Sequence, residues 1–320
     1  MQEPAAGVTG KTPKNRISNM DRTRERNGFL FALPWIIGFL IFGLYPIAIS
    51  FYYSLCDFNL FQAPTWVGLE NYVGLFADEK FYKSLWNTFY MVVIATPLNL
   101  IAALLLAVLL NQKVKGLPIF RTIFYLPSIV PTVASSLLWL WILNPQSGII
   151  NQTLKVLGLP QPNWLTDPIF TKPALIVMSI WGVGGMMIIF LASLQDVPRS
   201  QYEAAEIDGA NVVQQFFHVT LPAISPVIFF QLIMSIINYF QYFTQAYLLI
   251  GGSSGSALNG VSGGPENSLL FYSLYLFHNA FGYFKMGKAS AMAWIMFVIV
   301  LAVTAIIFKS QKKWVTYGDE

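Results

Sequence analysis

Residues 200–222 read SQYEAAEIDGANVVQQFFHVTLP, a polar stretch between two long apolar runs. Its first part fits a helix start, because Ser200 and Glu203 form a capping box in which each side chain satisfies a free backbone N–H. The two alanines that follow favour continuing that helix. Asp208-Gly209 then predicts a turn, since glycine takes a positive φ without a steric cost.

The second half of this stretch is short and apolar at helical spacing. Four residues are available to one face: Val213, Phe216, Phe217 and Val219. Leu221-Pro222 is expected to end this piece, because proline disfavours helix at the residue before it. The sequence therefore predicts a rigid helix–turn–helix lying across a membrane surface, and we name residues 200–222 the surface segment.

The surface segment resembles the EAA loop of ABC-importer permeases, whose signature is EAA, a glycine and a final LP. The matching positions are Glu203, Ala204, Ala205, Asp208, Gly209, Ala210, Phe216, Val219, Leu221 and Pro222. The resemblance implies a coupling helix that docks into a cleft of a separate ATPase subunit, and it assigns that role to all of these residues except Val219. The Phe216-Phe217 pair is expected to anchor the segment. The alternative is an ordinary amphipathic linker.

The composition is that of a membrane protein. Of the 320 residues, 55% are hydrophobic and 11% charged, whereas a soluble domain has about a quarter charged. The net charge of +4 does not indicate nucleic acid, because the basic residues flank apolar runs and form no continuous stripe. A single cysteine, Cys56, excludes an intrachain disulfide, and two histidines far apart in sequence predict no metal site.

Six apolar runs are each near the roughly twenty residues that cross a bilayer. They cover residues 29–55, 85–110, 122–143, 174–195, 223–250 and 288–308. The first run is too long, and its polar lead too extended, for a signal peptide. The sequence predicts an all-α membrane protein with an N-terminal segment (1–27), a six-helix domain (28–310) whose coupling loop is 196–222, and a tail (311–320).

The distribution of positive charge predicts the orientation. Thirteen of the 19 Lys and Arg residues lie in the N-terminal segment, loop 111–121, loop 196–222 and residues 309–320. Cytoplasmic loops carry the excess of positive charge, so both termini and the surface segment are predicted to be cytoplasmic. The opposite segments, 56–84, 144–173 and 251–287, suit a soluble external partner or an external gate, and they equally suit interfacial loops with an aromatic belt.

Further stretches resemble permeases of carbohydrate importers of the maltose and glycerol-phosphate type. They are GFLFALPWIIGFLIFGLYP (28–46), FRTIFYLPSIVPTVASSLLWLWILNP (120–145), GGPENS (263–268) and MGKASAMAWIMF (286–297). The resemblance covers nearly the whole chain from about residue 28. It implies the type I ABC-importer permease fold and the first of two permease subunits, in a bacterial cytoplasmic (inner) membrane.

The same resemblance implies the partners. They are a second permease that completes a heterodimer, an ATPase dimer, an extracellular or periplasmic solute-binding protein and a sugar substrate, in a lipid bilayer and without nucleic acid. ATP and Mg are used by the ATPase subunit, so this chain is expected to bind no cofactor or metal and to hold no catalytic residue.

The fifth apolar run carries polar residues that could line a transport path. Ser235, Asn238 and Tyr242 fall on one helix face by the 3–4 spacing rule, with Tyr239 beside them. Polar groups inside a membrane are costly unless they pair or face a cavity. Either a substrate cavity or hydrogen bonds that hold neighbouring helices together explain this pattern.

Two other runs carry breaks. Residues 181–185 read WGVGG, which lacks helix propensity, and Ser128 and Thr132 flank Pro131, where a kink frees carbonyls. Resemblance to the maltose permease places the following in its pocket region: Ser128, Thr132, Gly182, Ser235, Asn238, Tyr239 and Tyr242. Together with Trp181, these residues are the predicted substrate path.

Two sequence patterns do not indicate a functional site, and two other function classes fit the sequence poorly. Residues 282–288 match G-x-x-x-x-G-K, but Ala289 stands where a P-loop has Ser or Thr, and the glycosylation pattern at Asn151 is attributed to chance. A secondary transporter acting alone, coupled to ions, normally has intramembrane acids and paired repeats, and a membrane enzyme needs a titratable cluster. The apolar runs contain no intramembrane acids, no evident paired repeats and no titratable cluster. An importer permease that works by alternating access is therefore the leading prediction.

Overall fold

The computed structural model describes residues 19–112, 115–254 and 263–316. The chain divides into two compact units between Tyr52 and Tyr53. Most of the predicted N-terminal segment, the glycine-serine run after 254 and the last four residues of the tail lie outside the described residues. The helix of the first unit begins at Asn19, so it includes the last part of the segment predicted to precede the membrane.

The first unit is one long apolar helix. It consists of α1 (Asn19–Phe39), a π-helical turn (Leu40–Leu44) and α2 (Tyr45–Ser54), except that the last two residues of α2 belong to the second unit. The portion Arg26–Ser54 has 29 residues, and it is predominantly apolar from Phe29 onward. That length suffices to cross a bilayer.

The second unit begins with short elements and a long helix. β1 (Cys56–Asp57) pairs antiparallel with β2 (Thr65–Trp66), and α3 (Glu70–Phe76) follows. The long helix comprises α4 (Glu79–Tyr90), a π-helical turn (Met91–Ala95) and α5 (Thr96–Leu110). Asp78 caps α4, since its carboxylate accepts a hydrogen bond of 3.0 Å from the backbone N–H of Lys80.

The third and fourth predicted spans are each broken in two, beside Pro131 and within the WGVGG stretch (181–185) where the sequence indicated a kink and low helix propensity. α6 (Leu117–Ile129) and α7 (Thr132–Ile142) are bent by 99°, and α9 (Pro168–Trp181) and α10 (Gly184–Asp196) by 47°. The first break arises because Val130 precedes a proline and is extended, with ψ 128. A short helix, α8 (Ile149–Val156), lies between the two pairs.

The remaining elements include the surface segment and the last two predicted spans. They are α11 (Arg199–Ile207), α12 (Val212–Gln215), a π-helical turn (Phe216–Thr220), α13 (Leu221–Ala223), α14 (Ser225–Phe240), α15 (Thr244–Ser254), a 3-10 turn (Pro265–Asn267), α16 (Tyr272–Phe277), a π-helical turn (His278–Gly282) and α17 (Met286–Gln311). Four helices in the described part of the chain are long and apolar enough to span a membrane, or six if each bent pair counts as one span.

Close backbone contact holds the two broken helices together. A Cβ on Gly184 would lie 2.4 Å from the carbonyl oxygen of Phe124 and 2.8 Å from the Cα of Tyr125. Only glycine therefore allows α10 to approach α6 so closely. This contact holds the start of α10 against the backbone of α6.

A partly buried carboxylate joins the beginnings of three helices. Asp78, at the start of α4, accepts hydrogen bonds from Lys288 Nζ of α17 at 2.7 Å and from the Tyr275 hydroxyl of α16. Burial alone would raise the pKa of Asp78, but the bond and charge of Lys288 and the bond from Tyr275 outweigh it, so the pKa lies below 3.8.

Candidate functional site: a polar cavity and the surface segment

A cavity of about 590 Å³ lies where the broken helices meet α14. Its walls come from α5, the α6–α7 break, the α9–α10 break, α14 and residues 241–245. All eight residues of the predicted substrate path line it: Ser128, Thr132, Trp181, Gly182, Ser235, Asn238, Tyr239 and Tyr242. Residues more than a hundred positions apart are thus brought to one place.

The α14 wall follows the predicted helical stripe. Ser235 and Tyr239 are buried, one turn apart, and the Tyr239 and Tyr242 rings stack with centroids 5.8 Å apart. The helix ends at Phe240, and the chain reaches Tyr242 through a turn, so the fifth span is interrupted where it borders the cavity. The wall therefore offers hydroxyl and amide groups beside aromatic faces.

A buried hydrogen-bond network that the sequence reading missed supports this wall. The Asn99 amide on α5 donates to Ser179 Oγ on α9 at 3.1 Å and to the hydroxyl of Tyr239 on α14. Asn99 and Ser179 also line the cavity. The available signal was Asn99 near the middle of the apolar run 85–110, because an amide inside a membrane is costly unless it is paired.

The cavity can bind a polar ligand but offers little acid–base chemistry. None of the described residues that line it is Asp, Glu, Lys, Arg or His. In the described part of the chain, no group of three or more His, Cys, Asp or Glu residues is placed to hold a metal ion. Hydroxyl, amide and aromatic groups recognise ligands through neutral hydrogen bonds and ring contacts.

The first half of the surface segment ends in a complete Schellman motif. The N–H of Ala210 donates to the carbonyl of Ala205 at 2.9 Å, and the N–H of Gly209 donates to the carbonyl of Glu206 at 3.0 Å. Gly209 has φ +79, the left-handed conformation that this motif requires. The predicted turn at Asp208-Gly209 therefore closes α11 through its own backbone.

The second half of the surface segment is capped, and a hydrogen bond joins it to the first half. Asn211 and Gln214 form a capping box with bonds of 2.9 and 2.8 Å. The hydroxyl of Tyr202 in α11 and Oγ1 of Thr220 are 2.9 Å apart. These bonds fold the segment into one compact body.

Comparison with known families identifies the chain. Residues 71–315 match the family model described as the inner membrane component of binding-protein-dependent transport systems. The chain belongs to this family.

Relatives with similar sequences are permeases of the same kind. The probable ABC transporter permease protein YesP of Bacillus subtilis is 46% identical over 92% of this chain and 93% of its own length. The lactose transport system permease protein LacF of Rhizobium radiobacter is 36% identical over 91% and 95%. The trehalose/maltose transport system permease protein MalF of Thermococcus litoralis is 32% identical over 92% and 97%.

A solved structure shares the fold. A chain from the crystal structure of a bacterial ABC transporter that imports the acidic polysaccharide alginate matches with a TM-score of 0.75 and 24% identity, covering 92% of this permease and 99% of that chain. The permease thus has the type I ABC-importer fold and is embedded in a membrane.

Three details of the surface segment correct the sequence prediction. Ser200 does not cap a helix, because α11 already begins at Arg199, after Pro198 in extended conformation, and no side chain caps it. Leu221-Pro222 does not stop a helix, since Pro222 occupies the first turn of α13, where its missing N–H costs nothing. The chain breaks two residues later, at Ile224.

The third correction concerns the predicted apolar face in the second half of the surface segment. Val213 and Phe217 are exposed, while Phe216 and Val219 are half-buried. The π-helical turn at Phe216–Thr220 adds a residue to the helical repeat, so the assumed 3–4 spacing does not hold there. Phe216 still packs edge-on against Phe217, with ring centroids 5.2 Å apart.

The glycosylation pattern at Asn151 and the G-x-x-x-x-G-K pattern at 282–288 both have structural roles. Asn151 is buried, and its amide donates to the carbonyls of Pro145 and Pro162, each at 3.0 Å. Gly287 packs against the backbone of Cys56, where a Cβ would lie 2.0 Å from the carbonyl oxygen, and Lys288 bonds Asp78. Both patterns hold parts of the fold together.

Proposed function

We propose that this permease forms half of the path by which a sugar or oligosaccharide enters the cell. The observation that carries the proposal is the convergence of all eight predicted path residues on one uncharged cavity. Names of relatives support the substrate class, since they include transporters of lactose, trehalose and maltose, and arabinooligosaccharides. Hydroxyl and amide groups beside stacked tyrosines match the hydroxyls and apolar ring faces of a saccharide.

The surface segment is the proposed coupling helix. Glu203, Ala204, Ala205, Asp208, Gly209, Ala210, Phe216, Leu221 and Pro222 act in ATPase coupling. Large apolar side chains project from this segment beside polar ones: Ile207 is 87% exposed and Val212 81%. Exposed apolar groups rimmed by polar residues mark protein interaction sites, which supports docking onto an ATPase subunit.

In this proposal the full importer contains a second permease, an ATPase dimer that uses ATP and Mg, and an external solute-binding protein. Each bent pair counts as one span, which gives six spans with both termini and the surface segment in the cytoplasm. ATP binding closes the ATPase dimer, the surface segments move with it, and the cavity alternates between the two sides of the membrane.

Co-purification tests the assembly. The chain is expressed with the products of the genes encoded beside it, as wild type and as Gly209→Val, and purified through a tag on this chain. We expect the wild type to bring down a second permease and an ATPase. After reconstitution in lipid vesicles, it should hydrolyse ATP faster when the binding protein is present, and Gly209→Val should lose that stimulation while its helical content stays the same.

Uptake distinguishes this proposal from the ion-coupled secondary transporter. Trehalose, lactose and arabinotriose are each supplied to the vesicles, either with ATP inside or with a proton or sodium gradient alone. Uptake that requires ATP and the binding protein supports the importer. Uptake by the purified chain alone, driven by an ion gradient, would overturn it.

A further inference from the structure

The α14 wall of the cavity contains one buried amide without a partner. Gln231 lines the cavity and is only 6% exposed. Its Nε2 atom is buried and has no hydrogen-bond partner among the described residues. An unsatisfied amide is costly anywhere in a protein interior, and the surrounding bilayer offers no water to relieve it.

Gln231 extends the stripe of polar residues by one helical turn. The positions 231, 235 and 238 follow spacings of four and three, which place them along one face of α14, and Tyr242 follows beyond the end of the helix. Among the α14 residues that line the cavity, Gln231 is nearest in sequence to α13, about 9 Å along the axis from the start of α14 at Ser225. It therefore lies at the end of the cavity wall that continues into the surface segment.

We propose that Gln231 is a substrate-contact residue at the cytoplasmic end of the path, where its amide N–H donates to a hydroxyl or ring oxygen of a saccharide. This proposal rests on the importer function proposed above. The last torsion of a glutamine side chain is soft, so the amide turns toward a passing ligand without disturbing α14. A ligand oxygen supplies the acceptor that the protein itself does not provide.

Thr96 offers a matched control. Its Oγ1 is also buried and without a hydrogen-bond partner in the described part of the chain, but Thr96 does not line the cavity. Gln231→Leu and Thr96→Val both remove an unpaired polar group at nearly constant volume. Only the first removes a group from the path.

The main test measures sugar delivered per ATP hydrolysed by the complete importer in vesicles, with trehalose, lactose and arabinotriose tested separately. Loss of one neutral hydrogen bond predicts a drop of about threefold to tenfold for Gln231→Leu, with ATP hydrolysis still stimulated by the binding protein. Thr96→Val should keep the wild-type ratio. An unchanged ratio in Gln231→Leu, or a parallel loss of uptake, ATP hydrolysis and thermal stability, would overturn the proposal.

A second measurement does not depend on knowing the sugar. The only native cysteine, Cys56, is fully buried, so the parent chain serves as the blank for thiol labelling. Gln231→Cys should react with 2-aminoethyl methanethiosulfonate in at least one nucleotide state, and Thr96→Cys should not. If no probe sugar is transported, the proposed function fails for those sugars, whereas failure of Gln231→Cys to react in every nucleotide state contradicts the role of Gln231.

Discussion

The cavity and the surface segment are both polar, but different bonds hold them in shape. In the surface segment the bonds are local: Gly209 and Ala210 donate to carbonyls three and five residues earlier, and Asn211 and Gln214 cap each other. In the cavity the bonds join helices that are distant in sequence, since Asn99 reaches partners 80 and 140 positions away. The cavity should therefore be sensitive to packing between helices, and the surface segment to backbone conformation within itself.

Two adjacent glycines provide the strongest test of this difference. Gly184→Ala should lower the free energy of unfolding by about 3 kcal/mol, because the new methyl group meets the Phe124 carbonyl and forces α6 and α10 apart. Gly185→Ala is the control, since its nearest neighbour, Ser128, lies 4.0 Å away. It should be neutral or stabilising by up to about 1 kcal/mol. Thermal unfolding in lipid nanodiscs measures both, and equal midpoints would contradict the close contact.

The hydrogen-bond network at the cavity wall gives the next largest effect. Asn99→Leu should cost about 2 kcal/mol, because it leaves buried polar groups of Ser179 and Tyr239 with fewer partners. Adding Tyr239→Phe to that variant removes one of the unpaired groups. The double variant should therefore be less destabilised than the sum of the two single variants, and strict additivity in thermal unfolding would show that the two side chains are not coupled.

The ion pair at the start of α4 is expected to have an intermediate effect. Asp78→Asn should cost about 1–2 kcal/mol at pH 7, between the values typical of exposed and buried pairs. Folding lowers the pKa of Asp78 below its ordinary 3.8, so the contribution of this carboxylate is complete at neutral pH and is lost as the pH falls below 3.8 through the folded-state pKa.

The pH dependence supplies the control for this ion pair. Thermal midpoints of the wild type and Asp78→Asn are compared from pH 7 down to pH 3. The gap between them should narrow only at the acid end of that range. A constant gap would mean that the Asp78 carboxylate does not stabilise the fold through its charge.

In the surface segment, a change to the backbone should have a small effect on stability. Gly209→Ala should cost about 1 kcal/mol, because φ is +79 there and no atom lies within 4 Å of the new methyl group. The same substitution at Gly184 acts through a clash and has a larger effect. If Gly209→Ala lowered the free energy of unfolding more than Gly184→Ala does, the surface segment would be the more sensitive of the two regions, which would contradict the comparison.

A surface charge should have the smallest effect. Arg199 and Glu203 are both largely exposed, and their charged atoms are 4.0 Å apart. Arg199→Gln should change the free energy of unfolding by less than about 0.5 kcal/mol. High salt should not change this result, and a drop of several degrees in the midpoint would mean that the pair contributes more than its exposure allows.

The difference between local bonds in the surface segment and long-range bonds in the cavity explains how much could be predicted from sequence. The turn at Gly209 and the polar stripe on α14 depend on spacing within one element, so the sequence predicted them. The partners of Asn99 lie on other helices, and no local pattern shows them. The 99° bend exceeds a simple proline kink because the chain is extended at both Val130 and Pro131.

Local prediction also failed where an irregular turn changed the spacing. The π-helical turn at Phe216–Thr220 shifts the apolar residues around the axis, so Val213 and Phe217 do not share a buried face with Phe216. At the other end of the segment, Pro198 provides the extended residue that starts α11, and Ser200 is therefore already inside the helix. The division of the chain into terminal segments and a six-span domain stays a prediction.

The Schellman motif at Ala205–Ala210 has a consequence for exchanging parts between permeases. Because its hydrogen bonds begin and end within the surface segment, the shape of that segment is encoded almost entirely in its own twenty or so residues. The segment should keep its shape when transplanted into a related permease. A chimera made this way would carry the proposed ATPase-docking surface of one importer on the membrane helices of another.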